Sequence, residues 1–326
     1  MFASLPNGDA VTRTRIEGGG LTAHVLSYGA ILQDLRLDGH ASPLVLGFES
    51  FAPYLTDSPY FGAMVGRCGN RIGQGRFSLD GMDYQLDQNI APHHLHGGSA
   101  GIGLRNWTVE EAAPDQVTLR IDLTDGEMGY PGNMVLRARY ACLDAAELDI
   151  SIWAETDRPT ICNIAHHSYW NLDGSATTDA HVLQLDADRY TVVDDGFIPT
   201  GDLRSVAGTR FDFRQERPLA DEVFIDQNLC LSDAREKLRP VGVLRSTRSG
   251  VAMEIRTTEP GIQVYDGYKI APGAPGLSGQ SYGANSGVAL EPQLWPDAPN
   301  HANFPSAVLR PGERYNQQTQ FAFSKG

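Results

Sequence analysis

Apolar and polar residues alternate over several short stretches of the chain. In residues 117–124 (VTLRIDLT), Val117, Leu119, Ile121 and Leu123 fall on one side, while Thr118, Arg120, Asp122 and Thr124 fall on the other. This period of two is that of a β-strand with one buried face. It recurs in ELDISIWAET, where Leu148, Ile150 and Ile152 share a face, and in VAMEIRTT, where Val251, Met253 and Ile255 do. Helical periodicity is scarce. Only ESFAPYLT and SDAREKL offer a turn or two of helix, and there is no alternation of strand and helix such as a parallel sheet requires. The 35 glycines and 19 prolines supply turns between the strands. The pattern predicts an all-β chain. Over 326 residues it shows no Pro- or Ser-rich linker and no internal repeat, which points to one domain, residues 1–326, folded as a large antiparallel β-sandwich rather than a propeller or solenoid.

Composition narrows the partners. With 41% hydrophobic and 20% charged residues the chain is an ordinary globular protein able to bury a large core. A net charge of -14 repels phosphate backbones and anionic lipid surfaces, so nucleic acid and membrane are not expected partners. The first 20 residues have neither a basic nor an apolar leader segment, and no long uncharged apolar run follows. Cys68, Cys142, Cys162 and Cys230 are scattered, as suits reduced thiols. A cytoplasmic location is the expectation. Oligomeric state is open.

Four segments break the strand pattern by gathering polar groups among glycines and prolines. In GRCGNRIGQGRF, Asn70 and Arg71 sit among glycines that allow sharp turns, and a guanidinium offers donors for a row of hydroxyls; a solvated surface turn is the alternative. In NIAPHHLHGG, His93, His94 and His96 invite a metal reading, but further ligands at suitable spacing are missing, so one imidazole, His96, held by the Gly97-Gly98 turn, is the stronger candidate. In ICNIAHHSYWNL, a strand sends His166 and His167 to opposite faces, so only one of them can enter a given pocket. In ALEPQLWPDAPNHANFPS, Glu291 follows an apolar run and precedes Pro292; this places it at the end of a buried strand, where burial raises a carboxyl pKa, with the Pro-rich loop as a rigid wall of the site. A salt-bridged Glu is the alternative there.

Together these segments resemble the aldose 1-epimerase (galactose mutarotase) family, in that family's order and over nearly the whole chain. GRCGNRI is similar to its G-R-x-x-N-R-I, HLHGG to its L-H-G-G, HHSYWNL to its N-H-S/T-Y-F/W-N-L, and LEPQLWPDAPNHANFP to its L-E-x-Q-x-x-P-D-A-x-N-x-x-x-F-P. DGEMGYPGN, GFIPTGDLRSVAGTRFDF, IDQNLCL and EPGIQVYDG match as well. The resemblance implies a large antiparallel β-sandwich with an open sugar cleft, interconversion of the α and β anomers of a free aldose, a hexose or pentose monosaccharide, and no cofactor or metal. It implies Glu291 as the base on O1 and His167 as the acid on the ring oxygen O5. It gives His96 as the second histidine near that oxygen, Arg71 with Asn70 as hydroxyl donors, Asp226 as a carboxylate accepting from hydroxyls, and Gln263 as a further binding amide. Tyr169 or Trp170 would offer an apolar face, with core packing the alternative for Trp170.

Three departures from the family pattern stand out: His166 where an Asn is usual, Gln227 after Asp226 where a His is frequent, and YDGYKI, with Asp266 and Tyr268, in place of Y-T-G-N. The first is expected to be tolerated on the face opposite the cleft. The others are expected to bear on sugar preference. Competing readings are a non-catalytic sugar-binding protein, which would not need both Glu291 and His167, and a sugar-phosphate epimerase using Arg204, Arg210, Arg214 and Arg217. A metal-dependent cupin-like enzyme is the last.

Overall fold

The computed structural model describes residues 1–58, 60–221 and 224–326, with Asp221 described by its backbone alone. Antiparallel strands dominate. The largest sheet has nine strands and contains all three alternating segments, as Gln116–Leu123, Glu147–Thr156 and Val251–Thr257. Their apolar sides are buried, which is the physical content of the period of two. The helical expectations are met in one place: ESFAPYLT yields the single turn Pro53–Thr56, whereas SDAREKL forms only bends. Arg235 in that segment instead makes a bidentate pair with the buried Glu259, at 2.7 and 3.0 Å, and a tertiary ion pair outweighs a short segment's helical preference.

The second sheet has six strands in the order Tyr169–Trp170, Val288–Gln293, Gly261–Tyr265, Asp226–Cys230, Arg189–Val193 and Pro199–Ser205. One of its faces carries Trp170, Val288, Leu290, Ile262, Val264 and Leu229. These side chains share a hydrophobic cluster with Leu148, Ile150 and Ile152 of the nine-stranded sheet, so the two sheets pack face to face as a sandwich. Trp170 is fully buried between them, its ring centroid 4.5 Å from that of Phe321. It is a core residue, as the alternative reading held. The opposite face of the six-stranded sheet is left to line a cleft.

Because Trp170 bridges the sheets, its truncation leaves a cavity as well as removing apolar contact. Trp170→Ala is expected to cost about 3–5 kcal/mol of unfolding free energy in a urea titration, and Trp170→Phe to recover most of it.

Candidate active site

Register decides which residues of the six-stranded sheet face outward. Glu291 is paired with Gln263, and Gln263 with Asn228; one step along, Tyr169 is paired with Ala289, Ala289 with Tyr265, and Tyr265 with Asp226. Two rows result, one holding Glu291 and Gln263, the next holding Tyr169, Tyr265 and Asp226. All five side chains line one cavity of about 170 Å³. Glu291 lies inside the strand Val288–Gln293, not at its end as expected, because Pro292 occupies a position in that strand opposite Ile262.

The remaining walls come from two distant segments. The strand Ala165–His167 pairs with Ala63–Val65 and splits the histidine pair. His166 turns inward, where its Nε2 is 3.1 Å from Ser168 Oγ and its ring meets Tyr140 and Phe321. His167 turns to the cavity, with its Nε2 3.7 Å from Glu291 Oε1. The short ladder between Arg71–Ile72 and His94–Leu95 brings Asn70 and His96 together. There the Asn70 amide donates to His96 Nδ1 and the His96 amide to the Asn70 carbonyl, each at 3.1 Å. Asn70 and His96 both adopt left-handed backbone conformations, with φ of 59° and 51°. Gly97 follows with φ of 88°, and a Cβ there would lie 1.6 Å from the Gly66 carbonyl oxygen, so no side chain fits this turn.

His93, His94 and His96 point to three separate places, since His93 Nδ1 accepts from the Gln74 amide and His94 binds the Asp87 carbonyl and the Tyr130 hydroxyl. Among the described residues no group of three His, Cys, Asp or Glu side chains converges as metal ligands. The Pro-rich segment after Glu291 does not line the cavity. It braces it from behind, with the Asp297 amide donating to the Arg71 carbonyl at 3.1 Å and the Gly73 amide to Asp297 Oδ1 at 3.0 Å.

The electrostatics follow from burial. Glu291 is 2% exposed, and desolvation, reinforced by Asp226 and opposed by Arg71, holds its carboxyl well above the usual carboxylate range. Burial depresses the His167 imidazole to about 4. His96 is held well below its ordinary value by burial, then by His167 and Arg71, so its ring is neutral. With Nδ1 already accepting a hydrogen bond, the neutral ring carries its proton on Nε2 and offers a donor. Asp226 accepts from Gln263 Nε2 at 2.6 Å and faces Arg71 at 3.8 Å, which links three of the binding candidates into one polar group.

Eight candidates named from sequence, Asn70, Arg71, His96, His167, Tyr169, Asp226, Gln263 and Glu291, line this cavity. Gln227 and Asp266 do not. Gln227 is one residue out of phase with Asp226, and its amide donates inward to the Thr191 carbonyl. The Asp266 carboxylate accepts the amides of Ile225 and Tyr268 at 2.9 and 3.1 Å, closing a turn. Neither faces the cavity directly: strand alternation turns Gln227 away, and turn geometry occupies Asp266. Arg204, Arg210, Arg214 and Arg217 are not among the lining residues. Sequence reading missed Tyr60, Leu95, Tyr265 and Lys269, which also line the cavity. The Tyr60 ring lies 5.0 Å from His96 and 6.1 Å from His167. Nothing in SPYFGAM marks it, because its proximity arises from the Gly62 amide bonding to the His167 carbonyl across the fold.

Fold and site together define a β-sandwich protein with a buried carboxylate–imidazole pair and polar side chains on an open sheet face. The family model for aldose 1-epimerase matches residues 13–322. The galactose mutarotase of Rattus norvegicus is 38% identical over 99% of this chain and 97% of its own length, and the aldose 1-epimerase of Escherichia coli K12 is 32% identical over 93% and 92%. A solved aldose epimerase homologue from C. elegans superposes with a TM-score of 0.91 at 36% identity, covering 97% of this chain and 99% of that one. The chain belongs to the aldose 1-epimerase family.

His166 generates a pH dependence of stability. Burial lowers its pKa to about 3, so between that value and 6.5 the unfolded chain binds a proton that the folded chain excludes. Stability is full above pH 6.5 and falls as pH drops through this window. His166→Asn is expected to lessen the stability lost between pH 7 and pH 5 by about 2 kcal/mol, read from urea titrations at the two pH values.

Proposed function

We propose that the protein is a mutarotase that interconverts the α and β anomers of a free aldose by acid–base opening and closing of the ring. The observation that carries this reading is the buried Glu291–His167 pair, 3.7 Å apart and opening on a cavity lined by hydroxyl-binding side chains. O1 and O5 are bonded to the same carbon, so two groups this close can each address one of them. Glu291 takes the proton from the O1 hydroxyl, the C1–O5 bond breaks with its electron pair going to O5, and His167 delivers a proton there. The aldehyde turns about C1–C2. On closure His167 removes the O5 proton, O5 attacks the other face of C1, and Glu291 returns a proton to O1.

One proton serves the whole cycle. Opening starts from ionised Glu291 and protonated His167, and closing starts from the reverse. Burial of both groups favours the neutral arrangement, carboxylic acid with imidazole, and the short separation lets the proton pass between them when a sugar hydroxyl supplies hydrogen bonds to the carboxylate. His96, with its Nε2 proton, is the donor that polarises O5. Arg71, Asn70, Asp226 and Gln263 hold the hydroxyls, and Tyr169 gives the ring an apolar side. A binding protein would have no use for this pair: an isolated buried carboxyl is costly, and hydroxyls can be held by groups that are cheaper to bury. Galactose, named in the mammalian relatives, is the first sugar to test. Four buried, unpaired cysteines suit the proposed cytoplasmic setting in carbohydrate metabolism, and no helix of the described residues is long and apolar enough to cross a membrane.

Polarimetry on freshly dissolved α-galactose tests the reading: equilibration faster than the spontaneous rate is expected, and its absence for galactose, glucose, xylose and arabinose alike would refute it. Glu291→Gln and His167→Asn should each lower kcat by at least about 100-fold while circular dichroism stays unchanged. The pH profile of kcat/KM should be a broad plateau. Its acid limb lies near 4, where the pair gains a second proton and Glu291 can no longer accept one, and its alkaline limb lies above the usual carboxylate range, where the pair loses its only proton.

A further inference from the structure

Beside the cavity, outside its lining, stands Phe197. It occupies the loop between the strands Arg189–Val193 and Pro199–Ser205 and has a left-handed backbone, with φ of 60°. A bulky side chain is disfavoured in that conformation, and glycine would adopt it freely. The loop is closed around Phe197 by Asp194, whose Oδ1 accepts the amides of Gly196 and Ile198 at 2.8 and 3.0 Å and whose carbonyl accepts the Phe197 amide at 3.0 Å. A further tie comes from the segment behind the site: His301 Nε2 is 3.0 Å from the Pro199 carbonyl and 3.3 Å from Asp297, the residue that also holds the Arg71 turn.

The strained position aims the ring at two cations. The Arg71 guanidinium lies 5.1 Å from the Phe197 ring centroid and the Lys269 ammonium 5.2 Å from it. Lys269 also lies 5.1 Å from the Tyr268 ring, and its backbone amide donates to the Tyr265 hydroxyl at 3.0 Å. Arg71 and Lys269 both line the cavity, whereas Phe197 does not. Tyr268, whose ring Lys269 faces, is one of the two departures from the family pattern in YDGYKI.

We propose that Phe197 is a positioning residue for substrate binding, and that its ring fixes the Arg71 guanidinium and the Lys269 ammonium over the sugar cavity, making Lys269 a sugar-contacting residue at the mouth. Long cationic side chains lose rotamer freedom when they bind a ligand, and an aromatic face that already holds them removes part of that cost. Neither cation is assigned a part in the proton transfers of Glu291 and His167. Their contacts are therefore made equally with the ground state and the transition state, and their loss appears in KM rather than in kcat.

The inference rests on the mutarotase reading, and polarimetry with freshly dissolved α-galactose separates the two. Activity in the unaltered enzyme establishes the reading, and Phe197 variants then test the inference. Phe197→Leu is expected to raise KM roughly 5–10-fold with kcat within about twofold, and Phe197→Tyr, which keeps an aromatic face, to restore KM to within about twofold. Phe197→Gly should raise KM as Leu does while melting no lower than the Leu variant, since it relieves the left-handed strain; binding and stability then part company, as a merely structural role would not allow. Lys269→Met should raise KM about 2–5-fold, and adding Phe197→Leu to it should raise KM by less than the product of the single effects. A folded Phe197→Leu enzyme with the original KM, a loss confined to kcat, or independent effects of Phe197 and Lys269 would overturn the proposal. An unaltered enzyme inactive on every aldose would overturn the mutarotase reading instead.

Discussion

Glu291 is a carboxylate with 2% of its surface exposed, and the site depends on the sheet that keeps it there. An ionised group in such surroundings is costly, and among the described residues its Oε2 has no hydrogen-bonding partner. A mobile loop would relax until that oxygen met solvent. The strand Val288–Gln293 cannot, because it is paired along its length with Gly261–Tyr265 and its alternate residues, Val288 and Leu290, are anchored in the core between the sheets. The packing of one face thus sustains the buried carboxyl on the other.

The same constraint explains how the site is distributed. Residues opposite each other on neighbouring strands form rows, and a step of two along a strand reaches the next row on the same face, so Glu291 and Gln263 fall at one level and Tyr169, Tyr265 and Asp226 at the next. The imidazoles arrive from other segments. His167 is turned outward by the alternation that buries His166, and His96 is set by reciprocal bonds with Asn70 in a turn that no side chain at Gly97 would permit. These placements put neutral imidazoles beside a carboxyl that burial holds well above the usual carboxylate range.

Departures from the family pattern sort by geometry. His166 is absorbed by the core beside Ser168, Tyr140 and Phe321, at the expense of a group that resists protonation. Gln227 and Asp266 satisfy backbone groups outside the cavity lining. Within YDGYKI, Tyr265 and Lys269 line the cavity, whereas the departing residues Asp266 and Tyr268 are not among its lining residues.

By itself the sequence determined the all-β class, the buried faces of the alternating strands, the asymmetry of the histidine pair and the set of polar residues that share the cavity. Each of these is local or combinatorial: side-chain period is a property of a single strand, and motif order is a property of the chain. Tertiary structure decided the rest. Pro292 continuing a strand, the Pro-rich segment bracing Arg71 from behind, the inward turn of Gln227, and the arrival of Tyr60 and Lys269 in the cavity all depend on pairings between residues far apart in sequence. No local pattern encodes which strand lies beside which, or how deeply a carboxyl is buried. The 3.7 Å between His167 and Glu291 therefore belongs to the fold, while the presence of an acid and a base belongs to the sequence.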